Sequence, residues 1–353
     1  MRRRITGLAL AALYIVGLTA CALPGSTQPV LKIGLVAPFE GWYRPRGYDA
    51  LSAVRLAIEE ANQAGNVGSY RVELVALDDH LDPYWAPQRA RELAADPAVM
   101  GVVGCFSPAT VQAARHVYCE AGLVLITPAS VEARGDGVFA LAPAPDRLAQ
   151  AAIGHIRAQG AHRVALLYDG ARQPWAKAAP GEPEIVALVS LGNPDWPKVL
   201  AEAGAEWVIC GADARLGAEA LQRARSAGLR ASFVGGPEWA TDAFRKVAGD
   251  VASGAWFVTG APRLKDLCGP QDFVAAYRKQ GGHEPGPDAV LAYEATRLLL
   301  AALRETIGRE GHPTRQGVRE VLSGISLSGV TGPIAFDPRG ARVKAHAWIY
   351  RAH

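Results

Sequence analysis

LKIGLVAPFEGWYRPRGYDALSAVRLAIEEANQAG, residues 31–65, is the stretch that decides the fold. Leu31 to Phe39 is a short apolar run rich in β formers, and the residues after it change period. Ala50, Leu51, Val54, Ile58 and Ala61 fall on one helical face. Gly65 stands where a left-handed residue closes a helix. A buried strand that feeds an amphipathic helix is half of a parallel βαβ unit.

The unit repeats downstream. YRVELVAL (70–77) alternates like a strand, and Asp82 and Pro83 suit the N-cap and first position of a helix through ARELAA (90–95). VMGVVG (99–104) is a second buried strand, ATVQAARHVYCEAG (109–122) a helix and LVLIT (123–127) a strand. From Asp146 the pattern starts again. Strands are expected at 163–169, 184–189, 206–211, 232–236 and 254–259, with helices between most of them. Two helices, PQDFVAAYRKQGG (270–282) and DAVLAYEATRLLLAALRETIG (288–308), follow in succession. A shorter helix covers TRQGVREVLSG (314–324), and GPIAFDPRGARVKAHAWIY (332–350) reads as a terminal hairpin. The expected class is α/β, with two Rossmann-like lobes whose parallel sheets are flanked by helices.

The start of the chain speaks to location. Arg2, Arg3 and Arg4 precede about 14 uncharged residues, Ile5 to Leu18. That is too short for a bilayer core, which takes roughly 20 residues, and it matches the apolar region of a secretory signal. Leu18-Thr19-Ala20-Cys21 resembles the bacterial lipobox, in which the chain is cut before a cysteine whose sulfur carries a diacylglycerol. Residues 1–20 are therefore expected as a lipoprotein signal peptide, Cys21 as the lipidated residue and 21–30 as a flexible tether.

Composition narrows the function. The full chain carries 37 basic and 34 acidic residues, and loss of the three leader arginines makes the formal charge zero. Without a basic stripe, nucleic acid is not an expected partner. About 325 residues after the tether exceed one ordinary core. Cys105, Cys119, Cys210 and Cys268 form neither a disulfide scaffold nor a zinc pattern, and free thiols are expected. Asp78, Asp79, His80 and Asp82 are acid/base or metal material, but neighbouring strand residues face opposite ways. No GxSxG, HExxH, GxxxxGK[ST] or GxGxxG is present, so neither an enzyme nor a cofactor is expected.

Taken in order, IGLVAPFEG, LAIEEANQAG, VELVALDDHLDP, VVGCFSPAT, YCEAGLVLITPAS, VAGDVASGAWFVT and GVTGPIAFDPRG resemble the type I periplasmic binding proteins of the leucine/isoleucine/valine-binding family of ABC transporters. The likeness covers nearly all of 31–350. It implies two lobes joined by three crossover strands, one formed by 31–143 and 260–330 and the other by 144–259 and 331–353. It also implies a ligand in the cleft between them, handed by a monomeric receptor to an ABC permease.

The resemblance carries site residues too. In the loop after the third strand, Ser107 and Thr110 offer hydroxyls to a carboxylate, although Ser107 equally suits a helix cap. In the next loop Ala129 offers a backbone contact. Val131 stands where relatives often have a threonine hydroxyl, unless Ser130 substitutes. In the second lobe Asp213 and Glu238 are candidates for a ligand ammonium, Asp213 being equally suited to an N-cap, with Trp239 as an apolar wall. GWYRPRGY (41–48) reads as a rim loop in which Trp42 and Tyr43 stack on a ligand and Arg44 and Arg46 hold a second carboxylate or a phosphate, or else as a solvated, partly aromatic loop. Between Asp169 and Ile185, Pro174, Pro180 and Pro183 leave no room for a full helix, which trims the second lobe near Trp175. The expected function is a lipid-anchored receptor for an amino acid, amide or related carboxylate. The alternative is a sensing lipoprotein on the same fold that binds a signal or a protein partner.

Overall fold

The computed structural model describes residues 28–170, 183–267, 269 and 271–352. The leader, Cys21, most of the tether, Pro174, Trp175, Pro180 and Cys268 lie outside the described residues.

Five parallel strands build the first sheet: β1 (Val30–Ala37), β2 (Arg71–Asp78), β3 (Val99–Gly104), β4 (Leu125–Thr127) and β5 (Val138–Ala140), in the order β2-β1-β3-β4-β5. β5 has too few residues to show a period, and the sequence reading passed over it. Helices cover both faces. α1 (Arg44–Gln63) and α2 (Ala86–Ala95) follow β1 and β2, and α3 (Pro108–Glu120) follows β3. α1 begins earlier than its apolar stripe suggests. Pro45 sits in its first turn, where a missing N–H costs nothing, so the expected rim loop is partly helix from Arg44 onward. α2 begins later than expected: Asp82 makes a turn by accepting from the Tyr84 N–H at 2.8 Å, and the helix starts at Ala86.

The second sheet has the order β13-β10-β9-β8-β6-β7. β6 (Arg163–Tyr168), β7 (Glu184–Ser190), β8 (Trp207–Gly211), β9 (Ser232–Gly235) and β10 (Ala255–Thr259) are parallel. β13 (Trp348–Arg351) joins antiparallel beside β10. Four helices belong to this unit: α4 (Pro145–Ala158), α5 (Trp196–Glu202), α6 (Ala214–Ser226) and α7 (Asp242–Ala248).

The chain then returns to the first lobe. α8 (Gln271–Gly281), α9 (Pro287–Glu310) and α10 (Arg315–Gly324) complete the core that α1 begins. α9 is largely enclosed, with a buried run from Ala289 to Thr296. Leu298, Leu299 and Leu303 have no exposed surface, and Leu299 packs over Gly101 of β3 so closely that a Cβ there would lie 2.6 Å from it.

The terminal segment differs from expectation. β12 (Gly332–Ala335) pairs with β11 (Ser326–Gly329) just before it, not with the end of the chain. Residues up to 342 stay on the first lobe: the Ala140 N–H donates to Gly340 O at 2.9 Å, and the Arg342 N–H donates to Ala140 O at 3.1 Å. Only β13 reaches the second sheet. An open edge beside β10 is available to it, and Glu294 of α9 holds the hairpin back by accepting from the Thr331 N–H at 2.8 Å.

Where the chain crosses between lobes, two crossing segments touch. A Cβ at Gly260 would lie 2.5 Å from Pro143, so a side chain there would push the crossings apart.

Candidate functional site

The carboxyl ends of β3 and β4 carry the first-lobe loops. Gly104 and Cys105 both have positive φ, 142° and 53°, and turn the chain sharply. Gly104 must be glycine, because a Cβ would lie 2.2 Å from Val36 O. Thr127 ties the loops together: its hydroxyl donates to Cys105 O at 2.9 Å and accepts from the Ala129 N–H at 3.0 Å.

Ser107, Thr110, Ala129 and Ser130 come together here, but their hydroxyls point inward. Ser107 is the N-cap of α3 and accepts from the Thr110 N–H at 3.1 Å, while the Thr110 hydroxyl donates to Ser107 O at 3.0 Å. The Ser130 hydroxyl donates to Pro143 O at 2.5 Å. Ala129 and Val131 are buried against β3 and β4.

Arg46 lies over the same loops, in the first turns of α1. Its Nε donates to Asp288 Oδ2 at 2.7 Å, and its Nη2 donates to Asp288 Oδ1 at 2.9 Å and to Phe106 O at 3.3 Å. Nη1 is buried and has no hydrogen-bond partner. Burial opposes the charge of this guanidinium, yet the Asp288 carboxylate outweighs that cost, with help from Glu238, and its pKa is raised. Asp49, one turn further along α1, accepts from the N–H groups of Gly286 and Ala289 at 3.2 Å each, and so caps α9 from outside. Tyr277 donates to Asp49 at 2.6 Å. Burial raises the Asp49 pKa, with Asp288 adding to the shift against the Tyr277 bond.

The sequence reading missed Asp288 and Asp49. Pro287-Asp288 was visible only as a helix start, and the separation of 242 positions between Arg46 and Asp288 hides the pairing.

The second lobe faces this group. Glu238 sits in a single 3₁₀ turn, Pro237–Ala240, after β9; it is half-buried, and its carboxylate is one of the smaller causes of the raised Arg46 pKa. Trp239 is fully buried, stacked on Phe244 at 4.5 Å, and lies over Gly217 and Gly235. Asp213 is the N-cap of α6 and accepts from the Leu216 N–H at 2.9 Å. Tyr43 leaves the first lobe and packs against the apolar cluster of the second, near Arg215. Trp42 and Arg44 are exposed on the rim, away from the Arg46 group.

A cavity of about 250 Å3 opens beside the crossing segments, lined in part by Trp239, Phe257, Thr259, Ala261, Pro287 and Tyr350. It has walls from both lobes. Of the residues singled out in the sequence, only Trp239 lines it. Among the described residues no group of three or more His, Cys, Asp or Glu side chains could hold a metal ion, and no helix is long and apolar enough to cross a membrane.

Below the β3 loop, Asp79, Cys105 and Tyr118 are buried together. Asp79 Oδ2 and the Tyr118 hydroxyl have no hydrogen-bond partner. Burial pushes the Asp79 pKa up from 3.8 to about 6 and the Cys105 thiol well above its ordinary value.

With this geometry in view, the comparisons with known proteins agree on one family. A family model described as periplasmic binding protein matches residues 30–353. The leucine-, isoleucine-, valine-, threonine- and alanine-binding protein of Pseudomonas aeruginosa is 24% identical, over 97% of this chain and 94% of that protein. The Leu/Ile/Val-binding protein of Escherichia coli is 23% identical, over 88% of this chain and 87% of that protein. Among solved structures, a branched-chain amino acid transporter substrate-binding protein from Streptococcus pneumoniae, in complex with isoleucine, superposes with a TM-score of 0.78 at 23% identity, covering 91% of this chain and 95% of that one. A solute-binding protein from R. palustris in complex with benzoate superposes with a TM-score of 0.76 at 20% identity, covering 92% of this chain and 93% of that one. The two-lobed α/β fold and the family match over almost the whole described chain lead to one conclusion: this chain belongs to the periplasmic binding protein family, whose members are extracytoplasmic solute-binding proteins and not enzymes.

Proposed function

We propose that this protein is a monomeric, lipid-anchored receptor that captures a small polar metabolite between its lobes and delivers it to an ABC permease. The ligand is an amino acid, an amide or a related carboxylate. The observation that carries this reading is the buried guanidinium of Arg46, whose Nη1 has no hydrogen-bond partner, above the loop that follows β3, with the acidic Glu238 just after β9 in the second lobe. In open α/β sheets this is where ligands bind, and opposite charges on two lobes reward closure around a polar molecule.

Around that pair, Ser107, Thr110, Ala129 and Ser130 form the first-lobe floor, and Tyr43 closes the rim. Asp213 is engaged in its helix cap. The anchor is the thioether-linked lipid on Cys21, and residues from Cys21 to Val30 are the leash that keeps the receptor close to its permease.

Calorimetry of the purified protein against amino acids, their amides and small dicarboxylates tests the binding role. Saturable heat with at least one class is expected, and none with any class would sink it. Membrane fractionation of cells making Cys21→Ser tests the anchor: the variant should leave the membrane pellet, and its retention there would reject lipidation at Cys21.

A further inference from the structure

We infer that the cavity beside the crossing segments is a second ligand site, built for a small carboxylate with an aromatic body. The site lies outside the Arg46 group and does not rest on the receptor reading above.

Its floor is apolar. Trp239, Phe257, Ala261 and Ala352 line the cavity, and each is at most 8% exposed. Tyr350 forms a further wall, its ring 5.9 Å from that of Phe257. That ring is held at its far end: the Tyr350 hydroxyl accepts from the Arg263 N–H at 3.1 Å and donates to Asp266 Oδ2 at 2.9 Å. Pro287 adds a wall from the first lobe, while β10 and β13 supply theirs from the second. The space is about 250 Å3. An apolar cavity of roughly 150 Å3 lodges a benzene molecule, so one ring and a short acid arm fit. Aromatic walls favour a ring through edge and offset contacts.

The rim is basic. Arg245, Arg263 and Arg351 line the cavity, and no acidic side chain is among its lining residues. Asp242 pairs with Arg245, and Asp266 offsets one further charge from outside the lining. One cation is left over. The Arg263 guanidinium lies 4.2 Å from the centre of the Tyr350 ring, and its Nη2 donates to Arg351 O at 2.9 Å. Arg351 Nε donates to Ser253 O at 3.1 Å. Among the described residues neither side chain forms an ion pair, so each keeps N–H groups for an anionic acceptor. Ring stacking and carbonyl bonds already hold the two forks, so little ordering remains when a carboxylate arrives.

Floor and rim together select the class. The apolar body of the ligand goes down onto Phe257 and Trp239, and its carboxylate stays at the half-exposed rim, where losing water costs least. A cation would meet three guanidinium groups. An anion without an apolar body would leave the floor uncovered.

Calorimetry of the purified full-length protein with phenylacetate, phenylacetamide and acetate tests this. Phenylacetate is expected to bind saturably, at least about 5-fold more tightly than phenylacetamide, which has the ring without the charge, and more tightly than acetate by at least as much. Raising the salt from about 50 to about 500 mM should weaken the acid and not the amide. The double variant Arg263→Gln, Arg351→Gln should weaken phenylacetate about 10-fold or more and remove its preference over the amide. Both side chains stand at the rim, so the variant should melt near the wild-type temperature.

Three results would overturn the inference: no saturable heat with phenylacetate, equal binding of acid and amide, or undiminished binding by a folded double variant. The last would move the acid to another site, the Arg46 group included. If the double variant does not fold, the wild-type protein decides: a ratio of acid to amide near one, or an acid affinity that salt leaves unchanged, rejects the basic rim as the anchor.

Discussion

Arg46 and Asp288 form a two-pronged ion pair, 2.7 and 2.9 Å long, between the first turns of two helices that lie 242 residues apart in the chain. Both side chains are mostly buried, so removal of one charge strands the other. Asp288→Asn is expected to lower stability by about 2–4 kcal/mol. Urea unfolding of the variant checks this, and an unchanged midpoint would show that the pair adds nothing to the junction of α1 and α9.

Asp79 should make the protein more stable in mild acid. Its folded pKa of about 6 lies above the ordinary 3.8, because burial disfavours the charged form. The protonated carboxyl therefore suits the fold, and its contribution is fully present below about pH 4. It is lost as pH rises from there through about 6, and above that the buried charge costs on the order of 2–3 kcal/mol. Asp79→Asn keeps the oxygen that accepts from the Leu81 N–H at 3.0 Å and removes the charge. The variant should be more stable than wild type at pH 8 and nearly equal to it at pH 4. Thermal melts at the two pH values decide, and equal gains at both would exclude a titration.

The cysteines should differ in reactivity. Cys105 and Cys210 are buried, and burial drives the first thiol well up and the second to about 12, whereas Cys119 is partly exposed. Only the thiolate reacts. In a background of Cys21→Ser and Cys268→Ser, a thiol reagent at pH 8 should label Cys119 in the native protein, and Cys105 and Cys210 only after unfolding. Rapid native labelling of Cys105 would mean that the loop after β3 opens readily.

Gly235 makes room for Trp239. A Cβ there would lie 2.1 Å from the indole ring, which also lies close to Gly217 and stacks on Phe244. Gly235→Ala is expected to cost about 1–3 kcal/mol through overpacking and to shift the tryptophan fluorescence. A variant with wild-type stability and spectrum would show that the ring has space to move.

In the long helix α9, Leu298→Ala should cost about 2–5 kcal/mol, since the side chain is fully buried in the first-lobe core and its loss leaves a cavity there. Denaturant midpoints measure the loss.

The sequence by itself determined the parts of this molecule that depend on local period. Apolar runs bounded by glycine and proline mark β1, β3, β6, β8 and β10, and the stripe from Ala50 to Ala61 marks α1, because burial on a sheet or a helix repeats at a fixed spacing. The caps at Ser107 and Asp213 were legible for the same reason: they act within three residues. Tertiary structure alone decided what depends on distant partners. It took residues 332–342 to the first lobe, and it carried Tyr43 into the packing of the second. It also turned Arg46 away from an open rim and fastened it to Asp288. A side chain's use is set by the groups that surround it after folding, and no spacing along the chain encodes a neighbour 242 residues away.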